Sequence, residues 1–258
     1  MSTNNIHPTA IIAEEAKLGE NITVGPYSII GPEVVIGNGT TVESHVVIEG
    51  ETIIGENNYI FSFASIGKVP QDLKFKGEKT RTVIGNNNKI REFVTIHRGT
   101  DDKYETRIGN NCLIMAYVHI AHDCVIGSGD IIGNATKFAG EVTVDDNAII
   151  SANILCHQFC HIGGYVMIQG GSRFSMDIPP YIIVGKEPAR YMGINLIGLR
   201  RRGFSNELIE LIHNAYRILY GTGTRAENIQ KIKNELQITP EIQKIIDFVE
   251  SSERGIIK

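Results

Sequence analysis

Four histidines, His97, His119, His122 and His157, are the residues of this chain best suited to chemistry near neutral pH. Imidazole is the side chain that gains or loses a proton in that range, and it also ligates metals. His122 is followed directly by Asp123, and Gly140 and Gln158 follow it at successive intervals of 18 residues. A single exposed histidine is more often solvated surface than a functional group. Four of them beside an Asp-Gly-Gln column form a candidate site. His7, His45, His161 and His213 lack such company and read as structural.

The column has meaning because of the repeat that carries it. Of the 28 positions at every sixth residue from Ile6 to Ile168, 23 are Ile, Leu or Val. The exceptions are Asp72, Glu78, Asp102, Phe138 and Cys156. The three polar ones fall in two stretches, about 67–82 and 98–107, which read as loops bulging from the repeat. Glycine often follows the aliphatic residue, as at Gly19, Gly25, Gly37, Gly85 and Gly109, and suits a tight corner there. The slot two before it is small or β-branched, as at Ala16, Ser28, Thr40 and Val142. A period of six fits neither an α-helix nor a two-faced strand. It fits short strands joined by corners, three per turn, stacked as a parallel β-helix with an apolar interior.

With 18 residues per coil and ~4.8 Å between coils, residues 18 apart lie above one another. His122, Gly140 and Gln158 then form one column, Asp123, Glu141 and Phe159 the next, and His119 lies above Lys137. His97 and His157 occupy slots where the pattern offers glycine, and such local violations concentrate at functional sites. Cys112, Cys124 and Cys160 take the inward small slot and Cys156 the inward aliphatic slot, so all four read as core. That phase argues against a zinc thiolate in His157-Gln158-Phe159-Cys160-His161. Five basic residues against Asp72 and Glu78 give Lys68–Arg81 a local charge of +3. That loop, like Arg200-Arg201-Arg202, reads either as solvated surface or as a steering patch for an anionic substrate.

Beyond about residue 193 the pattern becomes helical. Ser205 and Thr224 read as N-caps, Glu227 completes a capping box, and Thr239-Pro240 is a cap followed by proline at the first helical position. Residues 1–192 are therefore expected to be the β-helix and 193–258 a small helical domain at its end. The formal net charge of -4 gives no reason to expect nucleic acid. The polar start, Met1 to Asn5, argues against a secretory signal, and no stretch has the ~20 apolar residues of a membrane span. The expected location is the cytoplasm, with reduced cysteines.

The ordered motifs are more specific than the repeat. Gln71-Asp72-Leu73-Lys74, Ile96-His97-Arg98-Gly99-Thr100, His119-Ile120-Ala121-His122-Asp123-Cys124 and His157-Gln158-Phe159 occur in sequence. Asp177-Ile178-Pro179-Pro180-Tyr181 and Arg201-Arg202-Gly203-Phe204-Ser205 follow them. The chain closely resembles the acyl-(acyl-carrier-protein)–UDP-N-acetylglucosamine O-acyltransferase family, which carries out the first step of lipid A synthesis. The resemblance implies an all-β left-handed parallel β-helix with a small C-terminal α-helical domain, assembled as a homotrimer with active sites between subunits. It implies transfer of a (3R)-3-hydroxyacyl chain from acyl carrier protein to the glucosamine 3-hydroxyl, with no cofactor and no metal.

In that reading His122 is the general base, Asp123 orients it, and the Gly140 N–H stabilises the oxyanion. Gln71, Asp72, Lys74, His97, His119, His157, Gln158, Asn195 and Arg202 bind the nucleotide-sugar and its acyl product, and Gly170 gauges acyl length. Glu141 and Pro188 stand where the family has histidines, and Gln169 where it has a small residue. Glu141, ~5 Å from Asp123 by the coil spacing, is expected to turn aside or to alter the pH profile.

Three other readings stay open at this level. A later N-acyltransferase of the same pathway usually carries a domain before the repeats, for which a repeat starting at Ile6 leaves no room. A γ-class carbonic anhydrase would use three of the histidines for zinc between subunits. A non-catalytic scaffold would lose nothing on replacement of His122.

Overall fold

A computed structural model describes residues 3–258; Met1 and Ser2, part of the polar start, lie outside the described residues. The repeat winds into a prism with three faces of 11, 9 and 8 strands, parallel except for the last strand of the first face; their first strands are Asn5–Ile6, Ile11–Ile12 and Lys17–Leu18 respectively. Each strand pairs with its counterpart in the neighbouring coil, as Thr23 with Thr41 and Ile29 with Val47. The aliphatic of every sixth residue points inward, and Ile48, Ile60, Ile66, Ile90, Ile96, Ile120 and Ile132 are fully buried. At ~1.5–3 kcal/mol per buried aliphatic side chain, this stack is the main favourable term of the fold. Cys112, Cys124, Cys156 and Cys160 are buried within it.

The register shows where extra chain leaves the prism. Arg81 pairs with Glu51 on one side and Glu105 on the other, so its two coils hold residues beyond the repeat of 18. The strands Ser65–Lys68, Arg81–Ile84 and Glu105–Ile108 narrow the two loops to residues 69–80 and 98–104. The expected bounds were wider because polar residues such as Arg81 and Glu105 occupy outward strand slots.

The glycines have a different reason from the one the pattern suggests. Those after the aliphatic mostly have ordinary φ, and the positive-φ corner positions are filled by Asn21, Tyr27, His45, Asn57, Phe93 and other non-glycine residues. What glycine supplies is clearance between coils. A Cβ on Gly37 would lie 2.7 Å from the Gly55 carbonyl carbon, and one on Gly25 2.7 Å from that of Glu43. On the corner between the first and second faces, Tyr27, His45, Phe63, Phe93 and Tyr117 stack ring on ring, with centroids 5.2, 5.0, 5.1 and 4.8 Å apart.

The strand Arg190–Ile194 turns back antiparallel on Ile182–Gly185, and four helices follow: α1 (Leu196–Arg201), α2 (Asn206–Leu219), α3 (Arg225–Glu235) and α4 (Pro240–Ser251). Ser205, Thr224 and Thr239 cap α2, α3 and α4, Thr224 and Glu227 form a capping box, and Pro240 opens α4. The chain does not end in helix. Ile256 returns to the prism and bridges to Asp177.

Candidate active site

The corner between the second and third faces collects the residues with the most chemistry. In the coil of His122 the second-face strand is His119–Ile120 and the third-face strand Val125–Ile126, so His122 and Asp123 are corner residues. Asp123 adopts φ 59°, as that corner position requires. Glu141 N donates to His122 O and Phe159 N to Gly140 O, which fixes the two columns in register. His122 Nδ1 lies 2.8 Å from Asp123 Oδ2, and its Nε2 lies 3.7 Å from Asp72 Oδ2.

Asp123 is fully buried, and the second loop holds it there. Thr100 N donates to Oδ1 and Oδ2 at 2.9 and 3.1 Å, and Thr100 Oγ1 to Oδ2 at 2.6 Å. Burial raises its carboxyl pKa, but the bonds from His122 and Thr100 outweigh that and hold it below the ordinary value. The bond to Asp123 in turn raises His122 above the ordinary imidazole range, against the burial of the ring. With Nδ1–H donated to a fixed carboxylate, Nε2 is the nitrogen left to take a proton.

Gly140 belongs to this unit. A Cβ there would stand 2.5 Å from His122 Cε1 and 2.6 Å from Nε2, so only glycine leaves the imidazole its place. Among the described residues the corner bonds of this coil use the N–H groups of Ala139 and Glu141 and pass over that of Gly140. Glu141, one coil from Asp123, turns toward Lys103, with Oε2 3.7 Å from Nζ, and burial raises its carboxyl pKa. Of the two outcomes expected for Glu141, the geometry matches the first: it turns aside toward Lys103.

His119 and His97 serve differently from His122. Burial and the neighbouring His97 lower His119 to about 4, and burial lowers His97 as well, so both rings are neutral at pH 7. They meet edge to face at 4.9 Å, and His119 Nδ1 pairs with Thr95 Oγ1 at 2.7 Å. Among the described residues the buried Nδ1 of His97 has no partner. The loop 69–80 brings Asp72 to the site, where its Oδ1 accepts from Lys74 N at 2.8 Å; Gln71 and Lys74 are exposed on it. Phe75 anchors the loop by packing against the Arg98 guanidinium. His157 and Gln158 are exposed one coil beyond Gly140.

The remaining candidates are elsewhere on the prism. Asn195, buried at the start of α1, donates Nδ2 to Tyr165 O, and Arg202 bonds to Asn147 Oδ1; both mark the corner joining the third and first faces. Gly170 sits on the corner joining the first and second faces, 3.2 Å by its absent Cβ from Ala152 O. Six residues per face at ~3.3 Å each put the corners roughly 15–20 Å apart. One chain therefore does not bring all the candidates together.

A groove of about 710 Å³ opens beside the histidines on the second face. His119, Lys137, His157 and Arg173 are polar or basic residues of its lining, and Leu155, Phe174 and Ala189 form part of its apolar wall. A mainly apolar lining with a few polar groups suits a largely apolar ligand that carries polar groups.

The carboxy-terminal part of the chain, residues 177–257, matches the family model described as UDP-N-acetylglucosamine O-acyltransferase, domain 2. Residues 15–50 and 105–134 match the bacterial transferase hexapeptide model. The acyl-(acyl-carrier-protein)–UDP-N-acetylglucosamine O-acyltransferase of Thiobacillus denitrificans is 51% identical over 98% of this chain and 99% of its own. The chain belongs to the UDP-N-acetylglucosamine O-acyltransferase family. Its namesake from Aliarcobacter butzleri is 50% identical over 98% of both chains. The crystal structure of the family member from Bacteroides fragilis superposes with a TM-score of 0.96 at 57% identity, covering 98% of this chain and 99% of that one. The prism is accordingly the left-handed parallel β-helix of this O-acyltransferase family, and the anhydrase and scaffold readings fall away. No described helix is long and apolar enough to cross a membrane.

Sequence reasoning missed Thr100 and Lys103, which act from an irregular loop, and most of the apolar groove wall. The motif His97-Arg98-Gly99-Thr100 was the one available signal for Thr100.

Proposed function

We propose that this chain transfers a (3R)-3-hydroxyacyl group from acyl carrier protein to the 3-hydroxyl of UDP-N-acetylglucosamine, the first step of lipid A synthesis, in the cytoplasm. The observation that carries the proposal is the His122–Asp123 pair, oriented by Thr100, with its Nε2 beside Gly140 and 3.7 Å from Asp72 Oδ2. His122 Nε2 removes the proton from the sugar 3-hydroxyl as its oxygen attacks the thioester carbonyl. The Gly140 N–H donates to the oxyanion of the tetrahedral intermediate. Collapse breaks the C–S bond, and the departing carrier thiolate takes the proton back from the His122 imidazolium.

The acceptor hydroxyl attacks directly, so no covalent acyl-enzyme forms. Burial pushes the Cys124 thiol up to about 12, which removes it as a nucleophile. Neutral His97 and His119 suit hydrogen bonds to an uncharged sugar, and Asp72 reaches the same space from the loop that also carries Lys74. Asn195 and Arg202 lie at another corner, where the guanidinium can pair with a phosphate of the nucleotide. They join His122 only if a second copy supplies them, which supports a homotrimer with sites between subunits. The aromatic stack also favours association, since Tyr27 is 59% and Tyr117 56% exposed.

The test is to incubate the protein with a 3-hydroxyacyl carrier donor, with and without UDP-N-acetylglucosamine, and to analyse sugar and protein by mass spectrometry and NMR. The expected result is a 3-O-acyl sugar and a protein of unchanged mass in both arms. An acylated protein in the donor-only arm would contradict the direct-attack mechanism, and absence of any acyl-sugar would contradict the function.

A further inference from the structure

Three consecutive residues tie the two loops of the site to each other. Arg98 N donates to Lys68 O and Gly99 N to Arg81 O, so residues 98 and 99 bond both ends of the loop 69–80. Thr100, next in sequence, holds the Asp123 carboxylate with its N–H and its hydroxyl. Gly99 has no room for a side chain, since a Cβ there would lie 2.3 Å from Glu105 N. The Arg98 side chain turns back over the root of the loop 69–80. Its Nη1 donates to Gly67 O at 3.4 Å, in a space left by Gly50, whose absent Cβ would lie 2.7 Å from that nitrogen. The face of the guanidinium carries the Phe75 ring, with Cζ 5.5 Å from its centroid.

Within that loop Phe75 is half-buried, while Gln71, Leu73, Lys74 and Lys76 are exposed. Phe75 N donates to Asp72 O and Lys74 N to Asp72 Oδ1, so the turn Asp72–Phe75 moves as one unit. Where Phe75 is held, Asp72 is held too, with Oδ2 3.7 Å from His122 Nε2. The charged and titratable groups that face His122 are Asp123, Asp72 and Glu141, with the neutral rings of His97 and His119 close by. We propose that Arg98 is a positioning residue that sets both carboxylates on the His122 ring, Asp123 at Nδ1 through Thr100 and Asp72 at Nε2 through Phe75. Its purpose rests on the acyltransfer reading, to which it adds the device that keeps the acceptor loop and the base in one geometry. Arginine suits the task because its planar group bonds a carbonyl at its edge and carries a ring on its face, which lysine cannot do.

The test compares full-length wild type, Arg98→Ala, Phe75→Ala and Phe75→Tyr in two assays. The first follows the reaction of His122 with diethyl pyrocarbonate against pH by peptide mass spectrometry, which reads the imidazole pKa whether or not the protein transfers acyl groups. Arg98→Ala is expected to lower it by about half a pH unit or more, because both carboxylates loosen. Loss of a positive charge alone would raise it, so a fall reports the carboxylates. The second assay is acyl transfer with UDP-N-acetylglucosamine varied. Arg98→Ala is expected to lose roughly 10- to 100-fold in kcat/KM for the sugar. Phe75→Ala, on an exposed loop that folds whatever Arg98→Ala does, is expected to raise KM for the sugar about fivefold. Phe75→Tyr keeps a ring face and should restore the wild-type KM. A His122 titration that is unmoved or raised in folded Arg98→Ala, or a sugar KM unmoved in Phe75→Ala, overturns the positioning role. A wild type inactive with every donor overturns the acyltransfer reading, and the His122 titration then still decides whether Arg98 positions the carboxylates.

Discussion

Replacing Asp130 with asparagine should stabilise the protein, by an amount that grows with pH. Asp130 occupies an inward slot, is fully buried, and its Oδ1 accepts from Ala148 N at 2.7 Å while Oδ2 has no partner among the described residues. Asn58 and Asn88 fill the same slot in earlier coils. Their Oδ1 atoms accept from Asn88 N and Cys112 N, and their Nδ2 groups donate to the Gly85 and Gly109 carbonyls. The equivalent acceptor above Asp130 is the Asp145 carbonyl. Burial, with Asp146 and Asp145 adding to it, raises the Asp130 carboxyl to about 8 from 3.8. A carboxyl raised in the folded state contributes its full stability below the unfolded pKa and loses it as pH rises through the folded one. At 1.36 kcal/mol per pH unit, the loss between pH 3.8 and pH 7 is about 4 kcal/mol. Asparagine does not titrate, keeps the Oδ1 acceptor and supplies the missing donor. Urea unfolding of both proteins at one fixed concentration, from pH 5 to pH 8, measures the difference. The advantage of Asp130→Asn is expected to widen by about 1 kcal/mol per pH unit and to level off above pH 8. A gap that does not change with pH, or a less stable variant, would refute the reasoning.

Other perturbations address the site itself. Gly140→Ala, whose Cβ would press on the His122 ring, should fold with the strand ladder intact but lose roughly 100-fold in kcat, because displacement of about 1 Å costs that much. Retained kcat with an alanine at 140 would show that the ring has room. Glu141→Gln removes a negative charge that helps raise His122, so the acid limb of kcat/KM should move to lower pH. A limb that stays put or moves up would contradict the assigned coupling. Mixing His122→Ala protein with Arg202→Ala protein, after dissociation and reassembly, should restore part of the activity that each lacks, because some sites would draw both intact residues from different copies. No recovery in verified mixed assemblies would place both residues in one subunit's site.

How much of this could be read from the sequence depended on the period. Eighteen residues per coil put Gly140 against His122 and Glu141 one coil from Asp123, and the corner bonds reproduce that register. The caps Ser205, Thr224 and Thr239 were legible because capping needs a particular side chain at a particular position. Thr100 was not, since the loop that carries it obeys no repeat and its partner is 23 residues away. The glycines were visible but their purpose was not, because clearance between coils is a contact across 18 residues rather than a property of local backbone. The return of the C-terminal residues to the prism escaped notice for the same reason: Ile256 and Ile257 look like an ordinary apolar tail until Asp177 pins them.

The central claim is that His122 is the base. The most direct measurement is acyl transfer from 3-hydroxyacyl carrier donors to UDP-N-acetylglucosamine by wild type and His122→Ala, each confirmed to have the same oligomeric state. Loss of a general base costs about 100- to 10,000-fold, so the account predicts a kcat fall in that range with folding unchanged. Activity in His122→Ala within tenfold of wild type would contradict it.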